Sequence, residues 1–288
     1  MPIHADSDAL RTSRFALGPR ATSLALAVAL WLLAPPAGAV TLTPFFGQDV
    51  PLVDGIPATH PASDVARAAF FAMLADRGTE DFESFQSEDE APLDLSFRSP
   101  TDTEIETGTL YDGTGDGFVA TAQIAKTGFP TSGEAYWKNT TPSDEDALFR
   151  VNFDHPVRAF GFYATAWETL SHPGETQLVL ELKLSDGTTV PFVIPHDTAS
   201  TITGKVFYVG VISDLSFVKA TLRNTGDGDG DVIGFDDFTV AHTIIPEPGT
   251  GWLLAGGMLA LAAARRHALH RSQRTRPGAP RPEGRPAA

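Results

Sequence analysis

The side chains best able to do chemistry in this chain are carboxylates gathered on glycine-rich loops. Asp227-Gly-Asp229-Gly-Asp231 spaces three acids two residues apart, and Asp112-Gly-Thr-Gly-Asp116-Gly repeats the theme more loosely. Hard oxygen donors of this kind suit calcium, which takes six to eight of them. The first run departs from an EF-hand loop, because its sixth position is Val232 and its twelfth is Phe238. That pattern needs Gly and Glu at those places. It reads instead as an Asp-Gly turn that can lend an oxygen to a cation held elsewhere. Asp144-Glu145-Asp146 supplies paired acids of the sort glycoside hydrolysis needs, though adjacent acids on one loop also form solvated charge clusters.

Sugar binding calls for flat aromatic platforms beside polar groups. Tyr136, Trp137, Tyr163 and Trp167 are the candidates. Strand alternation puts Tyr136 and Trp137 on opposite faces, so at least one of the two belongs to the core, and Trp137 and Trp167 are the ligand-binding candidates. Enzyme signatures are sparse. There is no Gly-x-Ser-x-Gly elbow, no His-Glu-x-x-His and no P-loop, and His155, His172 and His196 sit beside Pro or Asp at turns.

Composition narrows the field further. The 288 residues carry 36 Asp+Glu against 21 Lys+Arg, a formal net charge of −15, and no cysteine. Thiol nucleophiles, Cys-ligated zinc, iron–sulfur clusters and disulfide scaffolds are thereby excluded. So acidic a chain is also unsuited to phosphate-backbone recognition, and no nucleic acid partner is expected. The charge is uneven: residues 265–288 hold seven Arg against Glu283, while residues 40–264 hold 33 acidic and 11 basic side chains. Basic ends around an acidic middle mark targeting segments around a folded domain.

The N-terminal end reads as a signal peptide over 1–39. Arg11, Arg14 and Arg20 precede the apolar run 21–34, Pro35-Pro36 breaks it, and Ala37-Gly-Ala39 offers signal peptidase a small-x-small site. At the other end, Pro246-Glu247-Pro248 is followed by fifteen uncharged residues, 250–264, and then Arg265-Arg266. As a helix this stretch spans about 22 Å, a short membrane crossing whose arginines stay cytoplasmic.

These three parts in order, behind a signal peptide, resemble the PEP-CTERM sorting signal of Gram-negative bacteria. The resemblance implies that an exosortase acts on 244–266, with Pro246, Glu247, Pro248, Arg265 and Arg266 as the sorting motif. The chain departs from that pattern by continuing 22 residues past Arg266, over 267–288, a basic stretch read as a disordered tail. Signal peptidase and exosortase are the implied partners, with transient inner-membrane anchoring before release to the outer surface or beyond.

The elements between are mostly strands. The spacing predicts a short helix over 64–75, with Ser63 as its N-cap and Val65, Ala69, Phe70, Met73 and Leu74 on its apolar face, ended by Arg77-Gly78. It lies in an N-terminal segment, 40–79, whose first part, 41–55, reads as irregular. From residue 80 the period becomes 2, with runs at 93–97, 117–126, 148–153, 157–167, 177–184, 189–194, 205–212, 217–223 and 232–240. The fold class expected is mainly β, a jelly-roll β-sandwich over 80–243 with one short N-terminal helix, flanked by the signal peptide and the transmembrane sorting helix.

The runs Thr79 to Phe85, Phe153 to Phe162 and Ile233-Gly-Phe-Asp236-Asp237-Phe238 also resemble PEP-CTERM ectodomains with a galactose-binding-like jelly roll. That resemblance implies one structural Ca2+ held by Glu83 and Asp236 with Asp81 and Asp237, and no organic cofactor. The expected function is a secreted or surface-associated, non-enzymatic protein of the extracellular matrix or envelope. A carbohydrate-binding module on exopolysaccharide is the alternative, and a glycoside-acting hydrolase is the third reading.

Overall fold

The computed structural model describes residues 40–113, 115–140, 147–166, 177–195, 202–225 and 232–245. The chain divides into Met1–Thr41 and Leu42–Ala288. The signal segment 1–39, all of the sorting segment past Ile245, the Asp227–Asp231 run and Asp144–Asp146 lie outside the described residues. Among the described residues no helix is long and apolar enough to cross a membrane.

Eleven strands and one helix are described: β1 (Leu42–Asp49), α1 (Pro61–Ala72), β2 (Arg77–Glu80), β3 (Leu93–Arg98), β4 (Glu104–Tyr111), β5 (Phe118–Ala120), β6 (Tyr136–Thr140), β7 (Ala147–Thr165), β8 (Leu178–Leu184), β9 (Thr189–Val193), β10 (Val206–Asn224) and β11 (Val232–Ala241). All strand pairs are antiparallel, and the fold is a mainly β sandwich, as the periodicity predicts.

The two longest strands organise it. β7 and β10 pair along their whole lengths, from Val206↔Thr165 to Arg223↔Ala147. Midway the register shifts twice: β10 carries extra residues between Ile212 and Phe217, and β7 carries extra residues between Asn152 and Val157. Beyond these paired bulges each strand changes partner. The first half of β7 pairs with β4 and its second half with β11. β10 pairs first with β1 and then with β8. What the sequence shows as two pairs of short strands, broken at His155-Pro156 and at 213–216, is therefore two continuous strands shared by both layers. β2 joins β11 to β3 and β4, which closes the arrangement.

The core follows period 2 along β7. Phe149, Phe160 and Phe162 point into the aromatic interior, where Phe149 lies 5.0 Å from both Phe235 and Phe238. The first of these is edge-to-face at 83° and the second tilted at 45°, and aromatic pairs of this kind add about 0.5–1.5 kcal/mol each to simple burial. Ala159 and Tyr163 face the opposite way, into a second cluster with Ala66, Phe70 and Tyr208 under α1.

The segment 40–79 is thus part of the sandwich and not a separate lead-in: β1 is a strand on β10, and α1 packs against it. Pro44 is tolerated because β1 is an edge strand, paired on one side only. The helix starts three residues earlier than the spacing predicts, with Pro61 preset for the first turn. Ser63 is not its cap. It lies buried inside the first turn, where its Oγ donates to Asp49 Oδ2 at 2.8 Å, and the Asp49 carboxylate accepts the N–H groups of Ala62 and Ser63 at 3.0 and 2.8 Å. Asp49 caps the helix from the neighbouring strand. The approach is so close that a Cβ on Gly47 would strike the Ala62 carbonyl. The buried face is Ser63, Ala66 and Phe70, while Val65 is 70% exposed. The helix stops at Ala72 because Leu74 bridges to Ile244 and the Ala75 N–H donates to the Thr243 carbonyl, so Arg77-Gly78 begins β2.

Candidate functional site

The acids expected to matter sit on a bulge in β11. Asp236 pairs with Tyr163 and Thr239 with Gly161, so three steps on β11 oppose two on β7. Asp237 takes up the extra residue with φ 51°, in the left-handed region. A bulge re-aims side chains that a regular strand would alternate. Both carboxylates are consequently buried.

Each acid finds partners within the chain itself, although Asp237 Oδ2 has only an ion-pair contact and accepts no hydrogen bond. Asp236 Oδ2 accepts the Thr131 N–H at 2.7 Å, the Thr131 hydroxyl at 2.9 Å and the Ser132 N–H at 3.0 Å. Its Oδ1 accepts the Asp237 N–H at 2.8 Å. The Ser132 hydroxyl donates to Asp237 Oδ1 at 2.8 Å, and Asp237 Oδ2 lies 2.8 Å from Arg67 Nη2. Burial, and next the neighbouring Asp237, raise the Asp236 carboxyl to about 8, against the hydrogen bonds from Ser132 and Thr131. Asp237 is raised too, by burial first, while Arg67 pulls the other way.

Arg67 comes from α1 and was not legible as a site residue, since a lone Arg on a helix reads as solvated. Its guanidinium stands 4.8 Å from the Phe71 ring centroid and 5.4 Å from that of Tyr163. The Tyr163 hydroxyl donates to Asp64 Oδ1 at 2.6 Å, which fixes the ring the guanidinium rests on.

The structure places the other two predicted ligands nearby but on separate tasks. Glu83 is exposed, and its Oε1 accepts the Glu134 and Ala135 N–H groups at 2.6 and 2.7 Å. Gly133 is needed there, with φ 58° and no room for a Cβ beside the Glu83 carboxylate. Asp81 Oδ1 accepts the Glu83 N–H at 3.2 Å. The first-strand and last-strand acids are thus drawn together, as β2 beside β11 requires, yet their anchor is the loop 131–135. Among the described residues no group of three or more His, Cys, Asp or Glu is arranged to hold a metal ion. The donor set does not fit calcium: Asp236 spends its oxygens on hydroxyl and N–H donors, and Arg67 supplies the positive charge beside Asp237.

Beside this bulge opens a cleft of about 420 Å³. Arg67, Glu80, Asp81, Ser96, Arg98 and Asp237 line it, with Thr79, Ser84, Ser99, Pro100 and Asp102 at its walls. Glu80 is buried. Its Oε1 accepts the Phe82 N–H and its Oε2 the Ser96 N–H, both at 2.9 Å, which ties β2 to β3. Burial raises its carboxyl, and these two bonds oppose the shift. Arg98 is half exposed and pairs with Asp102 at 3.0 Å across the loop between β3 and β4. The cleft can exchange hydrogen bonds with a ligand through hydroxyls, guanidinium groups and carboxylates, and it has no aromatic floor.

The aromatic candidates are corrected. Trp137 is fully buried, its ring against Gly117, where a Cβ would collide with it, so it offers no face to a sugar. Tyr136 and Tyr163 are buried as well. Both faces of β6 are covered, so alternation does not expose either ring: the Tyr136 hydroxyl shares its one proton between the Ala122 and Gly128 carbonyls, 2.8 and 2.9 Å away. Trp167 and the sorting-motif residues Pro246, Glu247, Pro248, Arg265 and Arg266 lie outside the described residues.

No protein-family model matches the chain, and no curated protein matches it. Among solved structures it is similar to the K2 cleaved adhesin domain of Lys-gingipain, at 13% identity and TM-score 0.38, over 59% of this chain and 99% of that one. It is similar to the CBM22-1 xylan-binding domain of Xyn10C from Paenibacillus barcinonensis, at 15% identity and TM-score 0.29, over 55% and 96%. It is also similar to TmCBM61 in complex with β-1,4-galactotriose, at 13% identity and TM-score 0.24, over 46% and 87%. Likenesses this distant define neither a family nor a ligand.

Proposed function

We propose that the chain is an exported, non-enzymatic binding protein of the cell surface or extracellular matrix, and that its cleft beside Asp237 holds a polysaccharide segment. The observation that carries this reading is the chemistry of the cleft. Its 420 Å³ are lined by Ser84, Ser96 and Ser99 together with Arg67, Arg98, Asp81 and Asp102. A lining so rich in donors and acceptors suits hydroxyl-bearing rings far better than an apolar ligand. Glu80 accepts two backbone N–H groups, and Asp237 accepts the Ser132 hydroxyl and pairs with the Arg67 charge, which makes them anchors of the cleft.

Export through the segment 1–39 and sorting through 244–266 belong to the same proposal, with signal peptidase and an exosortase as the processing partners. Mass spectrometry of the protein from its host tests this part. A mature C-terminus inside 244–249 supports it, and an intact residue 288 refutes it.

Binding is tested by presenting the full-length chain to an array of neutral and charged glycans. Binding that Arg98→Ala weakens at least about tenfold, with unchanged melting, supports the cleft; that factor is about 1.4 kcal/mol. No binding by a folded chain removes the reading. One observation favours hydrolysis as a second reading: Glu80 is a buried carboxyl raised by burial in the same cleft as Asp237. Release of reducing sugar that disappears in Glu80→Gln would establish it over binding alone.

A further inference from the structure

The outward face of β7, β10 and β8 carries positive charge that groups among the described residues do not balance. Between residues 40 and 264 acids outnumber bases 33 to 11, yet four of those bases meet here. Arg150, Lys183, Lys219 and Arg223 surround a depression of about 290 Å³ together with Thr189 and Thr221. Lys219 stands directly opposite Lys183 in the β10–β8 ladder, and Arg150 opposite Thr221, one side-chain step along. Like charges placed directly opposite destabilise a ladder. Partial burial, then Arg150 and Lys183, hold the Lys219 amine below the usual lysine range. Glu181 is the one acid lining the depression among the described residues, and it is engaged with Arg223 at 2.9 Å. Arg150, Lys183 and Lys219 have no carboxylate within ion-pair distance among the described residues.

The three cations occupy three neighbouring strands, which lie about 4.8 Å apart. They form a row crossing the sheet, and a polymer with one carboxylate per ring can meet them in succession. Tyr111 stands opposite Arg150 on β4 and is 37% exposed, so an aromatic face flanks the row. Hydroxyls from Thr189 and Thr221 complete a lining with hydrogen-bonding groups and no exposed aliphatic anchor of the kind a lipid surface rewards.

We infer that this face is a second binding site, which takes a carboxylated polysaccharide of the polyuronate class. It is separate from the cleft and does not rest on that reading. An external polyanion supplies the charge that Lys183 and Lys219 lack, and it removes their mutual repulsion.

The test measures binding of the full-length chain to polygalacturonate and alginate, with dextran as the neutral polymer and phosphatidylglycerol vesicles as the alternative anionic surface. Salt-sensitive binding to the polyuronates is expected, weakened at least about tenfold by the double variant Lys183→Gln/Lys219→Gln. Melting of that variant is expected to be unchanged or raised, since a repulsion is lost. Lys126→Gln, the same type of charge change at a residue that does not line the depression, is expected to bind like the parent. Equal binding to dextran, no effect of the double variant, or binding to vesicles alone overturns the inference. Neutral-glycan binding lost in Arg98→Ala reports on the cleft, so the two sites fail independently.

Discussion

Arg67 Nη2 and Asp237 Oδ2 meet at 2.8 Å, joining the only described helix to the bulge of the last strand. The contact places a fixed guanidinium beside two buried acids. It also places α1 over the cleft, since both residues line it. Arg67 is therefore the counter-charge of this region as well as part of the cleft lining.

Removing that counter-charge leaves a buried carboxylate without its partner. Arg67→Met is expected to lower unfolding stability by about 2–4 kcal/mol, near the low end for a broken buried pair because Arg67 keeps some exposure. Arg67→Met/Asp237→Asn should recover part of that loss. Urea unfolding decides it, and a single variant within about 0.5 kcal/mol of the parent would contradict the pairing.

Stability should depend on pH through Asp236. Its carboxyl is raised to about 8 in the folded chain, above its ordinary value of 3.8. The folded state holds the proton more tightly, so the contribution is complete below the ordinary value and is lost as pH rises through the interval up to about 8. Unfolding free energy is expected to decline over that interval by a few kcal/mol, since each tenfold difference in proton affinity between the two states is worth roughly 1.4 kcal/mol. In Asp236→Asn the decline should flatten; an equal slope in both proteins rejects the assignment.

Chelation should leave the fold untouched. With the Asp236 oxygens on Thr131 and Ser132 and Asp237 on Arg67, dialysis against chelator is expected to move the melting midpoint by less than about 1 °C, there being no ligand-linked stabilisation to lose. A calcium-dependent rise of several degrees would restore the resemblance-based site.

Trp137 separates a core role from a sugar platform. Trp137→Ala is expected to cost about 3–5 kcal/mol through the cavity it leaves. Thermal unfolding checks this, and a variant that melts like the parent but loses glycan binding would return the residue to the surface.

The β8–β9 hairpin was legible because Ser185-Asp186-Gly187 puts Gly187 at φ 91°, where glycine is at home. β1 was not, because Pro44 and Gly47 break its pattern, and both are tolerated only through tertiary context: an unpaired edge and a crossing helix. β4 hid because Glu104-Ile-Glu106-Thr-Gly-Thr reads as polar, although Glu106 points inward and accepts the His155 N–H at 2.9 Å. Of the site, Asp236 and Asp237 were readable as acids in an apolar run. Thr131, Ser132 and Arg67 were not, since their partners lie about a hundred residues away or more and no local spacing encodes them.

The sharing of β7 and β10 between layers also sets when the fold can form. Leu42 finds its partner at Ser213 and Arg77 finds its own at Ala241, so β1 and one side of β2 stay unpaired until the closing strands exist. Contacts so distant in sequence make for slow, late assembly. A chain emerging from the ribosome can form the local β3–β4 and β8–β9 hairpins early, but its two layers lock together only when β10 and β11 arrive.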